Sequence, residues 1–245
     1  MKNFELLCLG TDLALSRAAA TAWLDEISTA NRIGKPHHVA LSGGRITLKF
    51  FAAVVELSKA GGVSLAGVHF FWADERCVPP NDPESNYGAA NQHFLQPLGI
   101  APDKIHPIPG ELGPDEAAEL ATTDIRRLVP PGDGGQPQLD LIFLGLGEDG
   151  HVASLFPGQP ETVILNPAVF RAIKNSPKPP PERVTLGYPA IASARQVWVL
   201  ASGDGKAAAL SESLRPAAQT PFARVLQSRR QTRIFTDIPS SPSRA

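Results

Sequence analysis

A chain of 245 residues, 42% hydrophobic and 19% charged, is composed as a globular protein and falls in the range where an α/β fold stays a single domain. No apolar run approaches the roughly 20 residues that cross a bilayer, the amino terminus has no secretory pattern, and a formal net charge of −1 with scattered basic residues argues against nucleic acid. Two cysteines, Cys8 and Cys77, are too few for a disulfide scaffold and lack metal-ligand spacing, which fits a reducing cytoplasm.

The run from Phe4 to Leu9 predicts a first strand, after which Thr11 or Asp12 caps a helix whose Leu15, Ala19, Ala22 and Ile27 share a face. His38 to Leu41 reads as the second strand, released through a Ser-Gly-Gly turn into an apolar helix from about Ile46 to Ala60 that Gly61 and Gly62 end. Val68 to Trp72 is apolar and aromatic enough for a buried strand. The polar segment after it, broken by Pro79, Pro80 and Pro83, has the length of a loop that serves a site.

A helix is expected from about Asp115 to Leu128, with Ala117, Leu120, Ala121, Ile125 and Leu128 on its apolar stripe, and Leu139 to Leu144 is the clearest central strand. Prolines 157, 160 and 167 and the Pro177 to Pro181 cluster leave 156–181 as loop with one short strand at Val169 to Ile173. Arg195 to Ala201 reads as a strand, Asp204 to Leu214 as a helix and Arg233 to Thr236 as the last strand. Apolar runs alternating with helical periods predict βαβ units, hence a parallel sheet covered by helices on both faces. One domain is expected over 1–238, followed by a disordered Ser/Pro-rich tail over 239–245.

Ser42-Gly43-Gly44 lies between a strand and a helix, where backbone N–H groups and the helix dipole converge on an anion; an ordinary capped turn is the other reading. Arg45 weighs toward the anion, because a cation at a helix start opposes the dipole unless an anion sits there too. Ser202-Gly203-Asp204-Gly205-Lys206 repeats the pattern, so Lys206 is a second phosphate candidate against the commoner fate of a surface lysine. Arg183, after Pro179-Pro180-Pro181, could offer a bidentate fork to phosphate or be a surface charge.

The strongest signal is Leu144-Gly145-Leu146-Gly147-Glu148-Asp149-Gly150-His151, a strand opening into a glycine loop at the sheet end where open parallel sheets bind ligands. His151 there suits a general base, with Asp149 orienting the ring or holding the attacking water; alternatively Asp149 caps the next helix and His151 packs on it. Asp74-Glu75-Arg76 follows another strand and is either a surface ion pair or a set of contacts to sugar hydroxyls and an acidic substrate. The other histidines, 37, 38, 69, 93 and 106, lack metal-ligand spacing and read as packing or surface residues.

Taken together, Asp74-Glu75-Arg76-Cys77-Val78-Pro79 with Ser85-Asn86-Tyr87, and Gly145-x-Gly147-x-Asp149-Gly150-His151-x-Ala153-Ser154-Leu155-Phe156-Pro157-Gly158, resemble the signatures of 6-phosphogluconolactonases. Arg183-Val184-Thr185-Leu186 and Ser202-Gly203-x-x-Lys206 follow in the right order. The resemblance implies a modified Rossmann-like, mostly parallel α/β/α sandwich shared with glucosamine-6-phosphate isomerases. It also implies hydrolysis of 6-phosphogluconolactone in the oxidative pentose phosphate pathway. By the same resemblance His151 takes a proton from water with support from Asp149. Ser42, Gly43, Gly44, Arg183 and Lys206 surround the phosphate, and Asp74 and Arg76 line the site.

No metal or organic cofactor is implied, and the expected partner is the small-molecule sugar-phosphate lactone, with no nucleic acid and no membrane. A cytoplasmic monomer or weak homo-oligomer is expected. One departure is that the family's Ser-Gly-Gly-Ser-Thr-Pro stands here as Ser42-Gly43-Gly44-Arg45-Ile46-Thr47, which adds a charge and removes a helix-start proline. The nearest alternative, an amino-sugar phosphate isomerase or deaminase, resembles Gly-His-Ile-Ala-Phe-Asn-Glu-Pro-Gly at the histidine loop. Phe156 replaces that glutamate and cannot transfer protons. A non-catalytic sugar-phosphate sensing domain would need neither Asp149 nor His151 and would carry a basic DNA-binding segment.

Overall fold

A computed structural model describes residues 3–239; the expected tail lies, from Ser240 on, outside the described residues. Strand β1 (Phe4–Cys8) leads to helix α1 (Asp12–Arg32), capped by the Thr11 hydroxyl accepting from the Ala14 N–H at 3.1 Å. Strand β2 (His37–Leu41) is followed by helix α2 (Arg45–Gly61), which stops at Gly62 in the left-handed region. Strand β3 (Val68–Trp72) precedes β4 (Asp74–Arg76), helix α3 (Asn86–Ala90) with a π-type turn over Asn91–Leu95, and helix α4 (Pro114–Leu128).

Then come β5 (Leu141–Gly145), α5 (Glu161–Ile164), β6 (Phe170–Ile173), β7 (Arg183–Leu186), α6 (Tyr188–Ser193) and β8 (Gln196–Ala201). Helices α7 (Ala207–Ser213) and α8 (Pro221–Gln227) and strand β9 (Thr232–Thr236) close the described chain.

Among the described residues one sheet runs β1-β9-β8-β5-β2-β3, parallel throughout, and a second runs β4-β7-β6, antiparallel. Every residue of β2, and every residue but one of β3, β5 and β8, is buried. Neighbouring side chains in a strand point to opposite faces, so both faces of the sheet are covered. This is the expected three-layer α/β/α sandwich. Its core is aromatic: Phe143 of β5 lies 5.1 Å from the Trp23 ring and 4.7 Å from Phe50.

Several expectations change. The helix expected over 204–214 opens as a 3₁₀ turn, Asp204–Lys206, before α7, because two glycines make this a poor α-helix start. Leu120 is 46% exposed rather than core-facing, on a helix whose buried side is made by Ala117, Ala121 and Ile125. Strands β4 and β7 are held by pairing with each other rather than by any apolar pattern of their own.

Topology places the site. From β2 the chain steps outward to β3, whereas from β5 it moves the other way, to β8 and β9. The switch point lies between β2 and β5, and the loops leaving their carboxyl ends, Ser42–Gly44 and Leu146–His151, flank the crevice that results.

Candidate active site

His151 is held against Asp149 by the glycines of its loop. The ring Nδ1 lies 2.5 Å from Asp149 Oδ1, and the Gly147 N–H donates to the His151 carbonyl at 2.9 Å. A Cβ at Gly147 would fall 1.9 Å from His151 Nδ1, so only glycine leaves room for the ring to fold back. A carboxylate on Nδ1 makes that nitrogen the donor, which leaves the Nε2 lone pair as the basic position. Burial lowers the imidazole pKa below its usual value, partly opposed by the hydrogen bond and charge of Asp149. Burial pushes Asp149 up, but its bond to His151 and the charges of His151 and Lys178 outweigh this and hold it low.

Across the crevice, α2 follows Gly44, its N-cap residue with φ of 115°, and has neither a side-chain cap nor an acidic residue in its first turn. Arg45 stands at this uncapped positive end, and Lys206 approaches from the loop after β8. Among the described residues the Lys206 ammonium has no hydrogen bond or ion pair; burial, then the charge of Arg45, depress its pKa. Two cations and a helix N-terminus facing one space make a site for a dianion. The Ser42 hydroxyl is spent elsewhere, donating to the Phe143 carbonyl at 2.8 Å and so tying the β2 loop to β5. Gly43 is required by packing, since a Cβ there would meet Asn86 Oδ1 at 1.8 Å.

The third wall is β4 with the loop that follows. Glu75, 2% exposed, accepts from the backbone N–H groups of Arg76, Asn86 and Tyr87 and from the Ser85 hydroxyl. Burial raises its pKa to about 7, against the pull of those N–H donors. Glu75 is thus the knot of the long polar loop. Asp74 accepts from the Ser154 hydroxyl at 2.8 Å, and the Asn86 amide donates to the Asp74 carbonyl at 2.9 Å. Arg76 reaches the cleft while its Nη1 donates to the Glu84 carbonyl at 2.7 Å. The Asp74-Glu75-Arg76 segment is therefore not the simple surface ion pair that was its alternative reading.

Arg183 lines the same cleft and is anchored behind it. Of its two readings, a fork to phosphate or a surface charge, the second does not fit a side chain that is 4% exposed: Nε donates to the Pro180 carbonyl at 3.0 Å and Nη2 to those of Pro179 and Lys178 at 2.8 and 3.1 Å. Only Nη1, 3.4 Å from Ser154 Oγ, stays toward the cleft. A lone buried arginine beside a proline strap finds its acceptors in the strap's carbonyls. That choice is invisible in sequence.

These walls enclose a cleft of about 370 Å³ that brings together the site residues named from the sequence except Asp149, which sits behind His151, and Glu75, whose carboxylate is turned into the loop. Asn86, Ser154 and Lys178 were missed as site residues. The first two lie in the quoted signatures, while Lys178 was hidden within a proline cluster. Among the described residues no group of three or more metal-ligating side chains could hold a metal, and no helix is long and apolar enough to cross a membrane.

A parallel sheet with a His–Asp pair and a cationic helix start at its switch point defines an α/β protein with a polar ligand cleft at the carboxyl ends of its strands. The chain belongs to the family described as glucosamine-6-phosphate isomerases/6-phosphogluconolactonase, whose pattern matches residues 10–235. It is 35% identical over 246 residues to 6-phosphogluconolactonase 3, chloroplastic, of Arabidopsis thaliana, covering 98% of this chain and 74% of that protein. It is 38% identical over 209 residues to the probable 6-phosphogluconolactonase 4, chloroplastic, of Oryza sativa subsp. indica, covering 83% of this chain and 63% of that protein. The chain therefore spans just under two thirds of the rice relative and about three quarters of the other. The solved 6-phosphogluconolactonase from Trypanosoma cruzi superposes with a TM-score of 0.80 at 27% identity, covering 96% of this chain and 95% of that one.

Proposed function

We propose that this protein hydrolyses 6-phosphogluconolactone to 6-phosphogluconate, the lactone-opening step of the oxidative pentose phosphate pathway, with His151 as general base. The observation that carries the reading is the placement of the His151–Asp149 pair opposite the uncapped, cationic start of α2 in one cleft. A phosphate held by the Gly43–Gly44 backbone, Arg45 and Lys206 directs the far end of the sugar, C1, toward His151. Each charge-assisted hydrogen bond there is worth roughly 1.5 to 3 kcal/mol.

His151 Nε2 takes a proton from water as the water oxygen bonds to C1 and the carbonyl pair moves onto oxygen. When that pair returns, the bond from C1 to the ring oxygen breaks and the imidazolium gives its proton to the leaving oxygen. Asp149 fixes the tautomer throughout. Asp74 and Arg76 line the sugar side of the cleft, and Arg183 offers its remaining Nη1. The depressed pKa of His151 keeps the base neutral at pH 7. Phe156, its ring 4.9 Å from His151, favours hydrolysis over the isomerase or deaminase reading, because a phenyl ring supplies no second proton-transfer group.

The working unit of this reading is a single cytoplasmic domain, monomeric or weakly self-associating, and needs no cofactor. The test is a time course of 6-phosphogluconolactone hydrolysis with and without protein, corrected for spontaneous opening in water. A catalysed rate supports the reading and an unchanged rate removes it.

A further inference from the structure

The segment Ser176–Arg183 is built more firmly than a surface loop requires. Ser176 N–H donates to the Pro181 carbonyl at 2.8 Å, the Ser176 hydroxyl donates to the Lys178 carbonyl at 2.8 Å, and Lys178 N–H donates back to that hydroxyl at 3.2 Å. Arg183, 4% exposed, adds the three bonds to the carbonyls of residues 178 to 180. Its guanidinium also lies 5.7 Å from the Phe156 ring, which packs against His151. A buried cation thus spends its donors on the backbone around one residue, and four flanking prolines, 177 and 179 to 181, stiffen the same stretch.

That residue is Lys178. Its side chain lines the cleft, and its Nζ lies 3.7 Å from Asp149 Oδ1, the same oxygen that holds His151 Nδ1. We infer that Lys178 is a positioning residue for the hydrolysis: the clamped strap delivers its ammonium to the Asp149 carboxylate, so that carboxylate and imidazole are aligned with the Nε2 lone pair facing the lactone. The inference rests on the proposed lactonase reading and adds to it a division of labour. Arg45 and Lys206 serve the phosphate end, and Lys178 serves the chemical end.

The charged groups around His151 fit this role. Asp149 on its own loop and Asp74 of β4 favour the protonated ring, while Lys178 from the strap opposes it; Arg183 bears on it only through Phe156. Arg45, Arg76, Lys206 and Glu148 line the rest of the cleft. Lys178 is thus the facing cation whose charge works against protonation of His151.

The test compares wild type, Lys178→Gln and Lys178→Arg. In the glutamine variant kcat should fall by roughly 10- to 100-fold, the scale of a misplaced catalytic group, with KM little changed. The acidic limb of kcat against pH should move to higher pH, and arginine should restore most of the rate and the limb. The ring titration of His151, followed by NMR without substrate, should move in the same direction. An unmoved limb and titration, or a loss confined to KM, would overturn the inference. Should wild type prove inactive on the lactone, the functional reading fails by itself, and the NMR titration still decides whether Lys178 acts on the pair.

Discussion

At the amino end of the parallel sheet His37 and His38 begin β2, His69 lies in β3, and His106 stacks on Phe71 with ring centres 4.6 Å apart; at the carboxyl end His151 sits in the loop after β5. The amino-end rings are satisfied internally. His37 Nε2 accepts from the Trp23 indole at 3.2 Å, His69 and His106 share a hydrogen bond of 3.0 Å, and the His38 ring faces Asp140. Burial lowers His37 and His69 to about 4. His151 is also lowered by burial, but it has a dedicated carboxylate on one nitrogen and a cleft before the rest of the ring. An imidazole is available for proton transfer where glycines leave it room and a carboxylate fixes its tautomer; the amino-end rings do not combine the two.

Deleting the proposed base breaks the comparison most sharply. His151→Ala should lower kcat by about 10²- to 10⁴-fold while the thermal transition stays near that of wild type. A variant with near wild-type kcat would make His151 a packing residue like those at the other end. Asp149→Asn should cost less, since the imidazole remains. Because Asp149 favours the protonated ring, its loss should also move the acidic limb of kcat to lower pH, and a limb that moved upward would refute the pairing.

The phosphate end gives the next largest effect. Lys206→Ala should raise KM for the phosphorylated lactone by roughly tens-fold, the equivalent of one charged hydrogen bond, and leave unphosphorylated gluconolactone nearly unaffected. Equal losses on the two substrates would mean that Lys206 supports the fold or the chemistry instead.

The smallest effect belongs to the amino end and concerns stability alone. His37 and His69 bind protons less readily when folded, at about 4, than at their ordinary 6.5, so the unfolded chain holds more protons in between. Stability on their account is full above pH 6.5 and is lost as pH falls toward 4. Melting temperature against pH should decline across that window, and His69→Phe should flatten the decline without changing kcat at pH 7.

What the sequence determined by itself was local: alternating apolar runs placed the parallel strands to within a residue or two, and the glycine loops after β2, β5 and β8 marked the borders of the cleft. The phosphate candidates Arg45 and Lys206 were legible because a cation at a helix start is electrostatically odd within a few residues. Tertiary structure alone decided whatever depends on distant partners. Strand β4 exists because β7 pairs with it, Glu75 is a loop knot because residues 85 to 87 turn back onto it, and Ser154 is spent on Asp74, 80 positions away. Arg183 spends most of its donors on the strap, and Lys178 reaches Asp149, for the same reason. A charged side chain takes the nearest acceptor once water is excluded, and only the folded chain says which acceptor is near.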